Sequence, residues 1–158
     1  MKNVVVPLAK HELTYAGMVG VLRRVQSIFD HLNKNNYTQV SSWQTDIDGA
    51  CGEMAFAKHM DAYWDGYVGT LETRDYKRRD VAGCQVRATH YPHGHLILRP
   101  NDNDIEAPYV LVICTPPRFR LVGAMSLLMG KVAAYRVGDH WEVPQSDLDD
   151  LPEKGRPR

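Results

Sequence analysis

Asp80-Val81-Ala82-Gly83-Cys84-Gln85-Val86-Arg87-Ala88-Thr89 is the stretch whose reading decides the fold. Ala82-Gly83 is a two-residue connection carrying glycine between β-prone flanks, which predicts a tight hairpin. With Val81 opposite Cys84, Asp80 faces Gln85, their Cβ atoms roughly 5 Å apart on one side of the pair. Arg87 lies two residues further on and shares that side, whereas Cys84, Val86 and Ala88 point the other way. A carboxylate, an amide and a guanidinium are therefore expected to converge.

Upstream of this hairpin the pattern is helical. Leu13, Ala16, Val19, Leu22, Val25, Phe29 and Leu32 recur at three- and four-residue steps, which predicts an amphipathic helix that stops in the polar run Asn33 to Asn36. A second helix, roughly Gly49 to Met60, is expected to open at Asp46 or Asp48 as its cap. On a wheel of 100° per residue, Ala50, Phe56, Ala57 and Met60 fall within about 60° of Glu53. The carboxylate thus sits in the apolar face, a costly position unless it meets a cation, a metal or hydrogen-bond donors. Between this helix and the hairpin lies a charged patch containing Arg74, Lys77, Arg78 and Arg79. Such a run is commonly a solvated loop; adjoining Asp80, it is equally readable as a phosphate-contacting approach to a site.

Downstream the pattern is mostly extended. Tyr91-Pro92-His93-Gly94 links the hairpin to a strand at His95 to Arg99, and an acidic loop follows from Asn101 to Glu106. Tyr109 to Cys114 is continuously apolar, as a strand buried on both faces would be, and Thr115-Pro116-Pro117 stops it. One more strand at Phe119 to Val122, a short helix at about Met125 to Ala134 and a small edge strand at Trp141 to Pro144 complete the expectation. Two helices, a block of strands and a closing helix predict an α/β fold with a central mixed β-sheet flanked by helices, as one domain over 1–150 with a mobile tail at 151–158.

The composition narrows the function. Lys plus Arg and Asp plus Glu both number 19, so no global basic field announces a nucleic-acid coat protein and any such binding must be local. The three cysteines (Cys51, Cys84, Cys114) form no CxxC pair, which argues for a reducing compartment and for small core residues rather than a disulfide framework. No segment reaches the ~18 consecutive apolar residues of a membrane span, and the N-terminal apolar run is too short for a signal peptide. A soluble, cytoplasmic protein is expected. His90, His93 and His95 cluster around a turn without a second ligand pair, and Gly49-Ala50-Cys51-Gly52 matches the short GxxG of RNA-binding KH modules in the wrong order of elements. Walker A, GxGxxG and GxSxG motifs do not occur.

A carboxylate on a helix face, an aspartate at a strand end, then a polar residue, a hydrophobe and a cation on the next strand together resemble the PD-(D/E)XK nuclease superfamily. The likeness runs through Gly52-Glu53-Met54-Ala55-Phe56-Ala57-Lys58, the Asp80 hairpin, Leu96 to Pro100, the apolar run Tyr109 to Ile113 and a strand ending at Gly123. It is similar in particular to small phage-encoded members, here with Gln85-Val86-Arg87 as the second motif. The resemblance implies a restriction-endonuclease-like core and hydrolysis of DNA phosphodiesters with Mg²⁺ or Mn²⁺, in a host cytoplasm if the chain is phage-encoded. It implies Asp80 as central metal ligand and Glu53 as the helix-borne one. Gln85 stands for the usual second carboxylate, the Val86 carbonyl is a further oxygen ligand, and Arg87 takes the place of the usual lysine.

The departures have physical consequences. Gln85 removes one negative charge from the cation's surroundings, and Arg87, effectively always protonated, cannot act as a general base but can stabilise charge on a phosphorane. Arg79 rather than proline precedes Asp80, and Ala124-Met125 rather than tryptophan follows Gly123. Two alternatives follow. The trio can be a buried ion pair of Glu53 or Asp80 with Arg87; or the domain can be an inactive DNA-binding or protein-inhibiting module. A homodimer is compatible with either.

Overall fold

The apolar run at Tyr109 becomes β4 (Pro108–Thr115), buried from Tyr109 to Cys114 and central to the architecture. In this computed structural model, which describes residues 1–30, 41–69 and 78–155, β4 pairs antiparallel with β5 (Arg118–Ser126) and parallel with β2 (Gln85–Thr89). β1 (Val4–Pro7) adds to the far side of β5, giving the order β1-β5-β4-β2. A parallel neighbour requires a long crossover. Here the crossover carries β3 (Leu96–Leu98), which leaves the first sheet to join β6 (Arg136–Val137) and β7 (His140–Val143) in a second sheet of order β3-β7-β6.

Alternation along β4 builds two cores. Val110, Val112 and Cys114 face the two long helices, α1 (Lys10–Phe29) and α2 (Ser42–Met60), together with Ala50, Phe56, Val86 and Phe119. Tyr109, Leu111 and Ile113 face the small sheet with Leu96, Leu98, Val122 and Val143. The chain is thus α/β with a mixed four-stranded sheet, but helices cover only one face and the small sheet covers the other. α2 packs against β2 over Gly52, where an added Cβ would lie 2.8 Å from the Ala88 Cβ.

Several expectations are corrected. α2 starts a full two turns before Gly49; its cap is Ser41, whose hydroxyl accepts from the Gln44 N–H, while Asp46 and Asp48 are buried inside the helix. The short helix expected at Met125 to Ala134 is mostly absent, because β5 runs on to Ser126, supported by the antiparallel bridge between Ala124 and Asp149. What remains is α3 (Leu127–Gly130), capped by Ser126, and one 3₁₀ turn. The Trp141 strand is not an edge but the centre of the small sheet. Leu151, expected to open the mobile tail, is buried and donates its N–H to the Met1 carbonyl at 3.0 Å.

The first helix holds the least expected feature. Ala16, Val19, Gly20 and Ser27 are its buried residues, whereas Leu22, Val25 and Phe29 from the same apolar periodicity are exposed. Its two arginines turn inward instead: Arg23 to Glu53 and Arg24 to Asp46 on α2, the latter at 3.8 Å. No helix among the described residues is long and apolar enough to cross a membrane.

Candidate functional site

The turn forms as the dipeptide predicts. Ala82 and Gly83 both take positive φ (48° and 78°), the pair of left-handed residues that a type I′ turn requires, and Val81 bridges Cys84. The pairing ends there. Asp80 does not face Gln85 across a ladder; its carboxylate folds onto the neighbouring backbone, Oδ2 accepting the Val86 N–H at 2.7 Å. β2 is the outermost strand of its sheet, and the second polar group of Val86, its carbonyl, accepts from Arg87 Nη1 at 3.3 Å. Asp80 and Arg87 therefore close the open edge of β2 at one residue, satisfying groups that an edge strand would otherwise expose.

Glu53 reaches the same region from α2. It is buried, as the helix wheel required, and the cation that makes this tolerable is Arg23. The pair is bidentate: Nη1 donates to Oε1 at 2.7 Å and Nη2 to Oε2 at 2.8 Å. Trp64 Nε1 donates to Oε2 at 2.8 Å, and Arg23 Nε donates to the Tyr67 carbonyl at 2.9 Å, so the guanidinium is held from both sides. Sequence reasoning missed both Arg23 and Trp64. An arginine on the helix before a buried glutamate was the available signal, hidden because the apolar periodicity of α1 suggested the opposite face turned inward.

Burial and then the nearby Glu53 carboxylate push the Asp80 carboxyl up to about 6, against the Val86 N–H and the positive charges of Arg87 and Arg23, which pull it down. The ion-pair alternative is thus correct in kind but not in partner: Glu53 pairs with Arg23, and Arg87 pairs with Asp102 of the acidic loop at 2.8 Å, stacked 5.2 Å from the Tyr109 ring centroid. Arg87 Nε is buried without a hydrogen-bond partner among the described residues. Gln85 does not join the others; its side-chain amide donates to the Arg78 carbonyl at 3.0 Å.

Of the basic patch, Arg74 and Lys77 lie outside the described residues. Arg78 pairs with Asp65 and lies over the Tyr67 ring, and Arg79 pairs with Asp104 at 2.8 Å and Glu106 at 3.3 Å. His90 binds the buried Asp48 at 3.2 Å, and His95 contacts Glu142 at 3.3 Å, so the histidines disperse. The GxxG lies within α2 and forms no loop. All three cysteines are buried and free; burial raises the Cys51 thiol to about 11, far from a nucleophile's range.

Among the described residues no three His, Cys, Asp or Glu side chains are placed to hold a metal ion. Of the implied ligands, Glu53 already receives three hydrogen bonds and Val86 O one, while Asp80 keeps its second oxygen without a partner among the described residues. Of that set, Asp80 would be the residue to offer an oxygen to Mg²⁺ or Mn²⁺, cations that keep most of their waters, and Glu53 would join only where Arg23 releases it. Comparison with protein-family models, with curated proteins and with solved structures found no match to this chain.

Proposed function

We propose that the chain is a metal-dependent nuclease on a restriction-endonuclease-like core, hydrolysing DNA phosphodiesters at the open edge of β2. One observation carries the reading: Asp80, fixed by the Val86 N–H, keeps a second oxygen without a partner among the described residues, and the buried Glu53 of α2 stands near enough to raise its carboxyl, with Arg23 and Arg87 as the cations beside them. Two carboxylates from separate elements near a strand edge, one of them held up by burial first and then by the other, suit a divalent cation better than they suit a structural core. When bound, Mg²⁺ or Mn²⁺ would polarise a phosphoryl oxygen and lower the pKa of a bound water.

Each residue has a role in this reading. Asp80 is the anionic anchor, fixed in direction by the Val86 N–H. Glu53 is the second carboxylate, oriented by Trp64 and available to the cation where Arg23 releases it. Arg87, steadied by Asp102, supplies fixed positive charge for the phosphate in the transition state. Gln85 offers an amide oxygen in place of a carboxylate. Arg74, Lys77, Arg78 and Arg79 hold the DNA backbone on the approach. The experiment is cleavage of single-stranded, duplex and branched DNA in Mg²⁺ and in Mn²⁺, with Asp80→Ala as the matched inactive variant. Absence of cleavage on every substrate in both metals would remove the proposal.

A second reading has its own observation. Arg23 occupies both Glu53 oxygens and Asp102 occupies Arg87, so much of the site is neutralised within the chain. That favours a binding module on the same fold, DNA-binding or protein-inhibiting, indifferent to metal. Its DNA affinity would fall steeply with salt and depend on the arginine patch rather than on Asp80. Titrating Mn²⁺ into wild type and Asp80→Ala by calorimetry separates the two.

A further inference from the structure

The outer face of the small sheet carries a chain of alternating acids and imidazoles. His140 and Glu142 lie two residues apart on β7 and therefore on one side of the strand. Glu142 stands opposite Ile97 of β3, and His95, two residues before Ile97, comes to the same side. Each histidine takes one oxygen of Glu142: Oε1 lies 2.9 Å from His140 Nε2, and Oε2 lies 3.3 Å from His95 Nδ1. The other ring nitrogen of His140, Nδ1, lies 3.2 Å from Asp139 Oδ1.

A carboxylate at both nitrogens decides the state of the ring. Carboxylates only accept, so each contact needs an N–H, and a neutral imidazole carries one. The imidazolium alone satisfies both. Little water is within reach instead, since the His140 side chain is 11% exposed. Burial opposes the charge, but Glu142 and Asp139 outweigh it and hold His140 above its ordinary 6.5. Around β7, Arg136 donates to the Gly138 carbonyl and lies over Trp141, Lys131 donates to the Pro100 and Asp102 carbonyls, and the Tyr135 hydroxyl donates to Asp147. Arg99 continues β3 one step past its last pair, Leu98 with Trp141. The inward side of β7 meets the apolar core of Leu111, Ile113 and Val122 with Tyr109.

We infer that Asp139, His140, Glu142 and His95 form a proton-operated latch on the β6–β7 hairpin, closed while both nitrogens of His140 carry hydrogen and released at Asp139 when one proton leaves to solvent. The weaker end decides where it opens. Glu142 is 30% exposed and is also held by His95, whereas Asp139 is 68% exposed in the two-residue turn Gly138-Asp139, where Gly138 takes a φ of 60°. That turn carries β6, an exposed strand of two residues paired as Arg136 with Trp141 and Val137 with His140, so losing the Asp139 tie loosens this edge of the small sheet. The sign follows from the raised value. The latch's contribution is fully present below 6.5 and is lost as pH rises through the higher folded value, a window above the one in which Asp80 titrates. The inference stands apart from the nuclease reading, because none of these residues belongs to the β2 edge.

Nitrogen-15 NMR of the full chain tests it. The His140 ring should carry a hydrogen on both nitrogens at pH 6 and titrate with a midpoint above 6.5, and Asp139→Asn should move that midpoint down. Backbone order parameters from Val137 to His140 should fall from about 0.85 towards about 0.6 as the ring titrates, while those of β4 stay constant. In His140→Gln, which keeps a polar side chain without a titrating ring, the same order parameters should not change between pH 6 and pH 8.5. A His140 midpoint at or below 6.5, order parameters that stay flat through its titration, or an equal fall in His140→Gln would each overturn the inference.

Discussion

Arg23 holds both carboxylate oxygens of Glu53, at 2.7 and 2.8 Å, from a helix whose apolar residues largely face the other way. The pair is what allows an acid in the middle of the α2 core face. Removing one partner of a buried pair leaves an uncompensated charge, so Arg23→Met should cost about 3–5 kcal/mol in urea unfolding, and Arg23→Met with Glu53→Leu should restore most of that loss. Mg²⁺ gives the variant a second use. If a divalent cation can take Glu53, saturating Mg²⁺ should raise the unfolding midpoint of Arg23→Met more than that of wild type; equal shifts would leave Glu53 as a purely structural acid.

Asp80 sets a pH dependence whose sign is unusual for a carboxylate beside cations. Its carboxyl lies near 6 in the folded chain against an ordinary 3.8. Between those values the folded state holds a proton that the unfolded state has released, so stability falls as pH rises through this window and stays lower above it. Asp80→Asn keeps an oxygen for the Val86 N–H and removes the charge. In metal-free buffer its melting temperature should match wild type near pH 4 and exceed it at pH 8; a difference that does not change with pH would show that burial does not penalise the Asp80 charge.

Arg79, a described member of the basic patch, holds both Asp104 and Glu106 on one guanidinium. In the reading of the patch as a DNA approach, those acids compete with phosphate. Asp104→Asn with Glu106→Gln should therefore tighten duplex binding and steepen its dependence on log salt by roughly one phosphate contact, about 0.9 in slope. Fluorescence anisotropy at several ionic strengths measures both. Unchanged slope and affinity would take Arg79 out of the interface.

The residues that were legible in the sequence are those whose signal is local. Ala82-Gly83 specified its turn, Tyr109 to Cys114 its doubly buried strand, and the wheel around Glu53 its burial. Periodicity says that α1 is a helix but not how far its apolar face follows the core: Leu13, Ala16 and Val19 meet it, whereas Leu22, Val25 and Phe29 do not and Arg23 and Arg24 turn to α2 instead. Asp46 and Asp48 looked like caps because caps are read from residue type, whereas Ser41 won by position and both aspartates went inward, with Asp48 receiving Gln44 and His90. β5 outran its expected end through a bridge to Asp149, a contact between distant residues. The site shared this limit: Asp80 and Glu53 were named from local pattern, and their actual partners, Val86 N–H and Arg23, are decided by tertiary packing.

The register that lets Arg23 meet Glu53 depends on how closely α1 and α2 approach, and Gly20 sets that distance. An added Cβ there would lie 2.5 Å from Ile47 Cα and 2.8 Å from the Asp46 carbonyl oxygen, both backbone atoms with no rotamer by which to yield. Gly20→Ala must push the helices apart, costing about 1–3 kcal/mol by the measure of overpacked cores. Gly49→Ala is the matched control, another helical glycine whose Cβ would meet nothing within 4 Å. It should gain roughly 0.5–1 kcal/mol from the lost flexibility of the unfolded chain. Unfolding curves of the two variants should move in opposite directions. Because the displaced helix also carries Arg23, Gly20→Ala should lose part of the coupling between Arg23 and Glu53 in a double-mutant cycle, and an undiminished coupling would show that the ion pair does not rely on this crossing.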